Sequence, residues 1–377
     1  MFTVLSDSLE YYYKYKTDSM SEERVTAYGK LIIDIRKELL KYISKLAEFS
    51  KKHYSSVKVN RLRSYIGELT SDDSPSYESY IAVDGASFML NLMVGIIGLY
   101  ATIAVKFPEV KRIYYRESFG VVPAVEKVQD ISDTLTFSRV LDLSREIAFL
   151  NTCIKLVKEY KPDLMVLDGS LLPVPRTGLE DKHEYLNDLY REYIKSMLKL
   201  HEICRVERVP LIGFVKRVRS KFLTGRASNV EVTLDDGISE ILDSQLQLYD
   251  NLLAESFLKF REYFPKVLPL VRYRDVPELK VSFVLVKTSR SVPPYRVDFG
   301  GSLILGNRVD ERECLRALNF LCKETTTEGL PYCILKVDEE VKLSRALMSD
   351  LYDDILHKYF KEVGDISFVL TLWGETL

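Results

Sequence analysis

Tyr80-Ile-Ala-Val-Asp84-Gly-Ala-Ser87 is a short apolar run ending on an aspartate and a glycine, and Leu164-Met-Val-Leu-Asp168-Gly-Ser-Leu171 repeats the pattern further along. Each run reads as a buried strand, and Asp-Gly is a turn signal that lets the backbone leave a sheet sharply. A single Asp-Gly after a strand is commonly just a tight turn; its repetition in similar apolar settings points to function. Both aspartates are expected at strand ends. Two acids at the carboxyl ends of strands in one sheet can converge on a hard divalent cation, whose charge offsets their mutual repulsion.

The flanking sequence gives these strands an order. Phe88 to Val105 is apolar but contains Asn91 and is broken by Gly95 and Gly98, so it reads as a long strand or strand pair rather than a membrane span. Val110 to Glu117 alternates like a half-exposed strand. Leu141 to Tyr160 has helical periodicity, with Leu143, Ile147, Leu150, Ile154 and Val157 on one face and Glu146 near the start. Lys161-Pro162-Asp163 stops that helix before the second aspartate strand. Strand with Asp84, two strands, helix with Glu146, strand with Asp168 is the order in which ribonuclease-H-like folds lay out acidic metal ligands. The expected class is therefore α/β, a ribonuclease-H-like mixed sheet flanked by helices, with an N-terminal helical arm and helical insertions.

The 377 residues suffice for one large or two modest domains, and a net charge of -2 confines any nucleic-acid surface to a local patch. None of the five cysteines forms a CxxC pair, which points to a reduced protein without a zinc ribbon. The start, Met1-Phe-Thr-Val-Leu-Ser-Asp7, lacks a basic segment followed by an apolar run, so a cytoplasmic location is expected. About Asp7 to Leu69 reads as an amphipathic helical arm that packs on its own domain or pairs with a second copy. Residues 70–76 read as a linker, giving an arm over 1–76 and a catalytic domain over 77–377.

Beyond Asp168 the pattern predicts a polar helix over about 180–206 and a buried strand, Val209 to Val215. That strand leads into the densest basic run, Lys216, Arg217, Arg219, Lys221 and Arg226, with Phe222 among them. Such residues can hold phosphates while an aromatic face stacks on a base. A helical insertion is expected over 238–264, followed by a strand over 281–287 paired with one from Tyr295. Lys287, Arg290, Tyr295 and Arg296 form a second basic cluster. Gly329 to Met348 reads as a strand passing into a final helix, with Asp338 near the helix start as a fourth candidate ligand and Glu339 and Glu340 as competitors.

In order and spacing, several segments resemble the NurA nuclease family. They are Val83-Asp84-Gly-Ala-Ser, Ser144-Arg-Glu146, Leu167-Asp168-Gly-Ser-Leu, Ile212-Gly-Phe-Val-Lys216, Arg296-Val-Asp298, and Gly329-Leu-Pro331 with Val337-Asp338. The resemblance implies a homodimeric, Mn2+- or Mg2+-dependent nuclease acting on single-stranded DNA or DNA ends, with Asp84, Glu146, Asp168 and Asp338 as catalytic metal ligands. It also implies docking to a HerA-type hexameric translocase. Two positions depart from the family pattern, Leu330 where a tyrosine is usual and Asp338 where a histidine is usual. On these grounds an alternative is a catalytically weak paralogue that binds DNA or serves as a scaffold. A further carboxylate at 338 is expected to crowd the acids and destabilise the metal-free protein.

Overall fold

Twelve strands form one mixed sheet among the residues the computed structural model describes, which are 31–42, 59–69, 77–92, 95–122, 134–224, 229–242 and 249–342, with scattered positions between and beyond. In chain order the strands are β1 (Gly67–Glu68), β2 (Tyr80–Leu92), β3 (Gly95–Phe107), β4 (Lys111–Ile113), β5 (Phe119–Val122), β6 (Leu164–Asp168), β7 (Pro210–Val215), β8 (Val230–Thr233), β9 (Glu262–Phe264), β10 (Leu270–Tyr273), β11 (Val276–Val286) and β12 (Tyr295–Gly301). Besides a short helical turn at Val59–Leu62, the helices that follow β1 are α1 (Thr134–Tyr160), α2 (Glu184–Val206), α3 (Asp236–Ile241), α4 (Asp250–Glu255), α5 (Glu311–Lys323) and α6 over 332–342.

Strand order is β1-β9-β11-β12-β7-β6-β2-β3-β4, with β5 on β3 and β10 joining β11 to β8. The centre, β2-β6-β7, is parallel, and β3 and β12 run antiparallel on either side. An antiparallel meander, then α1, then two parallel strands joined by α2 is the ribonuclease-H-like arrangement. Leu164 to Leu167 of β6 are all buried, as a central parallel strand covered on both faces requires. On one face Ala82, Val166, Ile212, Phe214, Val297 and Phe299 pack against Cys314, Leu318 and Leu321 of α5 and Cys333, Ile334 and Val337 of α6. Each fully buried side chain of this size contributes about 1.5–3 kcal/mol. α1 lies against β2 and β3, and α2 against β7 and β12. All five cysteines are free.

Four expectations are corrected. Asp84 is not at a strand end; β2 continues to Leu92 because β3 pairs with it along its whole length, and only the parallel ladder to β6 stops beside Asp84. α1 begins at Thr134, which places Glu146 in its middle. The segment 238–264 is not one helix: it holds α3, α4 and then β9, whose Tyr263 and Phe264 are buried against the sheet. The run after Gly329 forms no strand. Pro331 supplies a carbonyl to the N–H groups of Ile334 and Leu335 and so starts α6, whose Cys333, Ile334 and Val337 meet the core at helical spacing. Asp338 therefore sits in the second turn rather than at the helix start.

The chain divides into two compact units, Met1–Lys58 and Val59–Leu377. In the first, residues 31–42 form a helix in which Leu31, Ile33, Ile35 and Leu39 are exposed. In the second, β1 pairs with β9 and Leu62 is fully buried, so residues 59–69 pack as part of the sheet unit. The 70–76 segment and Arg226 lie outside the described residues. No described helix is long and apolar enough to cross a membrane.

Candidate metal centre

The acid cluster follows from strand register. β2 and β6 pair in parallel from Tyr80 opposite Leu164 to Val83 opposite Leu167, so the next residue on each strand, Asp84 and Asp168, stand side by side. Asp168 is in turn level with Phe214 on β7, and Lys216 follows two residues later on the same side. From the helical layer over that face, α6 lowers Asp338 onto the same spot. One carboxylate oxygen from each of Asp84, Asp168 and Asp338 lies within 4.8 Å of the others, and among the described residues this is the one group of three or more potential ligands.

Lys216 is the built-in cation of the cluster. Its Nζ lies 2.5 Å from Asp168 Oδ2 and 2.9 Å from Asp338 Oδ1, while Lys342 holds the other oxygen of Asp338 at 2.7 Å. Burial opposes the charge on Lys216, but the two carboxylates raise its pKa overall. Burial likewise works against the Asp338 carboxylate, yet hydrogen bonds from Lys342 and Lys216 hold its pKa below the usual value. Asp84 has no such partner. Burial and the charge of Asp168 push it up to about 8, against the Gly85 N–H that it accepts at 2.7 Å. Asp168 is raised as well, first by burial, with Lys216 opposing. The site therefore lacks positive charge: one of its acids keeps a proton that a divalent cation would replace. Three hard oxygen donors with that deficit fit Mn2+ or Mg2+.

The cluster opens into a cavity of about 500 Å³, lined also by Arg145, Glu146, Ser170 and Arg217. Glu146 reaches this cavity from α1 but is not drawn into the acid group; Arg145 Nη2 holds its Oε1 at 2.6 Å. Neither competitor of Asp338 enters: Glu340 pairs with Arg112 at 2.6 Å and Glu339 with Lys336 at 3.3 Å.

The basic candidates separate by burial. Arg217 is exposed and lines the cavity, Arg219 is exposed and lines the adjoining cleft, Arg290 is exposed, and Lys221 and Tyr295 are half-buried, the latter packed on Phe214. Three candidates are corrected. Phe222 is buried against Phe283, so its ring offers no face to a base. Lys287 is buried and paired with Glu255 at 2.5 Å. Arg296 is buried and paired with Asp298 at 2.8 Å, so it reaches no phosphate on the surface. The sequence reading also missed Lys342 as partner of Asp338, which the i, i+4 spacing on a helix could have revealed.

The NurA domain profile matches residues 78–343. The chain belongs to the NurA family. No curated protein matches it. Among solved structures, the NurA nuclease from Sulfolobus solfataricus superposes with a TM-score of 0.53 at 17% identity, covering 90% of this chain and 98% of that one. Another NurA structure gives 0.47 at 11% identity, covering 88% and 98%. A NurA solved with manganese gives 0.46 at 12%, covering 83% and 98%. These likenesses concern the fold; the acids named above come from this NurA chain's own geometry.

Proposed function

We propose that this NurA-family protein is a Mn2+- or Mg2+-dependent nuclease that hydrolyses phosphodiester bonds in DNA. The observation that carries the reading is the convergence of Asp84, Asp168 and Asp338 at the end of the parallel ladder, one of them short of a counter-charge. These three residues would hold the ion or ion pair, with Glu146 at the rim. Bound there, it would make water acidic enough to attack near neutral pH and neutralise charge developing on the phosphodiester. Lys216, displaced from its two acids, is within side-chain reach of the cavity and can hold a non-bridging phosphate oxygen. Arg217 on the cavity wall and Arg219 on the adjoining cleft face solvent and can hold the flanking phosphates. Asp84, once it has given up its proton, is the acid free of any lysine contact and is thus the ligand most available to the ion.

Family membership supports the rest of the reading: action on single strands or DNA ends in repair, a homodimer, a cytoplasmic setting and work with a HerA-type translocase. The test is cleavage of end-labelled single-stranded DNA with and without Mn2+. Metal-dependent turnover in the wild type that disappears in both Asp84→Asn and Asp168→Asn is the expected result, and turnover that survives either substitution sinks the mechanism. A second reading, a strand-holding scaffold with little or no cleavage, is favoured by one observation: Lys216 already pairs with two of the three acids, and Lys342 with one of them. DNA binding with no turnover at any Mn2+ concentration would select it.

A further inference from the structure

The loop that carries Asp168 and the basic loop that follows β7 are joined through the interior of the sheet. On β12, Arg296 and Asp298 are two residues apart, hence on one face, and both are buried. Arg296 donates from Nε to Asp298 Oδ1 at 2.8 Å and from Nη2 to Oδ2 at 3.1 Å. Asp298 Oδ2 also accepts the Ser170 hydroxyl at 2.9 Å and the Leu171 N–H at 3.1 Å. Ser170 Oγ in turn accepts from Arg296 Nη2 at 2.9 Å and from the Leu172 N–H at 3.0 Å. One donation and two acceptances exhaust a hydroxyl, so Ser170 has no freedom left. It stands two residues beyond Asp168 and fixes where the chain leaves β6.

The other face of the same guanidinium lies 4.8 Å from the ring centroid of Phe222, in the middle of the basic loop. That loop is pinned beneath by buried Asp250, which accepts the Ser220 hydroxyl at 2.6 Å and the N–H groups of Phe222 at 2.9 Å and Leu223 at 3.1 Å. Arg219 and Lys221 immediately precede the anchored Phe222. Contacts thus run without a break from the basic loop through Phe222 and Arg296 to Ser170, two residues from Asp168.

We propose that Arg296 is a positioning residue that ties the strand-holding loop to the ion-holding loop, so that occupation of either site raises the affinity of the other. The inference rests on the nuclease reading above and adds to it a dependence between ion and strand. Charge alone would also couple the two sites, because an ion that neutralises the acids lets a phosphate approach. Arg296→Lys separates the effects: it keeps the charge but loses the planar fork and the stacking on Phe222.

The experiment is calorimetric titration of Mn2+ into the full chain, with and without a single-stranded phosphorothioate oligonucleotide that resists cleavage. In the wild type the oligonucleotide should tighten Mn2+ binding roughly tenfold. In Arg296→Lys that gain should fall by at least about threefold. A structural role alone would weaken both affinities and leave their ratio unchanged, so equal gains in the two proteins overturn the inference. Wild-type protein that binds both ligands with no gain overturns it too and leaves the nuclease reading standing. Failure to bind either ligand overturns the nuclease reading and the inference with it. Should Arg296→Lys not fold, Ser170→Ala cuts the tie from the acid side and must show the same loss; an undiminished gain there refutes the tie.

Discussion

Asp338 is expected from the sequence to crowd the acids, and its charge does raise the pKa of Asp84 and Asp168, but its two lysine partners outweigh that repulsion for its own carboxylate. Its two oxygens are taken by Lys216 and Lys342, so its charge stabilises the metal-free protein. Asp338→Asn should lower metal-free stability by about 1 kcal/mol at neutral pH, a partly exposed pair being worth less than a buried one. Its pKa is depressed, so this contribution is present above the usual carboxylate range and is lost as pH falls through that range. The variant should therefore match the wild type in acid and fall below it near neutrality, read by urea midpoints at each pH. Lys216→Met should act more strongly, because it leaves two acids facing each other with one lysine between them. We expect a metal-free loss of about 1–3 kcal/mol, and a larger Mn2+-induced rise in Tm than in the wild type, since the ion then replaces a missing charge. Equal Mn2+ shifts in wild type and Lys216→Met would place Lys216 outside the ion's reach.

At the scale of elements, the close approach of β7 to the Asp168 loop depends on Gly213. A Cβ there would lie 2.6 Å from Gly169 O and 2.9 Å from Leu171 Cγ, both parts of the loop that Ser170 anchors. Gly213→Ala should cost about 1–3 kcal/mol and weaken Mn2+ binding, because the relieving shift moves Asp168. Unchanged Mn2+ affinity in a folded Gly213→Ala protein would separate the loop from the site. On α2, His201 packs against Gly300, and loss of solvation lowers its pKa to about 4 despite a hydrogen bond to the backbone of Leu171. The unfolded chain takes up this proton near pH 6.5 and the folded protein only near 4, so stability is lost as pH falls between the two. Chemical denaturation from pH 7 to 4 should show a shallower decline in His201→Gln.

What could be read in advance follows the same physics. Continuous apolar runs closed by Asp-Gly marked β2 and β6, and the strand-like runs from Val281 and Tyr295 marked the paired β11 and β12. Asp84 in mid-strand could not be read, because β2 outlasts its parallel neighbour only through pairing with β3, a contact distant in sequence. The Tyr-Cys-Ile-Leu stretch after Pro331 has strand-like residues, and tertiary packing overrides that local preference to make α6. Arg296 and Lys287 looked like surface cations because one sequence does not show which strands are central.

For the whole molecule, a net charge of -2 gives no general attraction to nucleic acid, so on the nuclease reading affinity would come from a local basic patch. Arg217, on the wall of the acid-lined cavity, and Arg219, on the cleft that adjoins it, are its exposed candidates. Replacing each with alanine should weaken binding to oligonucleotides of any sequence and reduce the slope of log affinity against log salt by about 1 per residue. A slope unchanged in the double variant would remove this patch from the strand path, as measured by fluorescence anisotropy across a salt series.

The attachment of Lys216 to β7 has a consequence for metal loading. An ammonium on a short tether cannot diffuse away, so it faces Asp168 and Asp338 at an effective concentration far above that of any free ion. Loading the centre is then an exchange of a bound monovalent charge for a divalent one, and the apparent affinity for the ion is reduced by the free energy of the pairing it displaces. On the nuclease reading, the acids would stay paired with lysine below a threshold of free divalent ion, and cleavage would track the supply of metal in the surrounding solution.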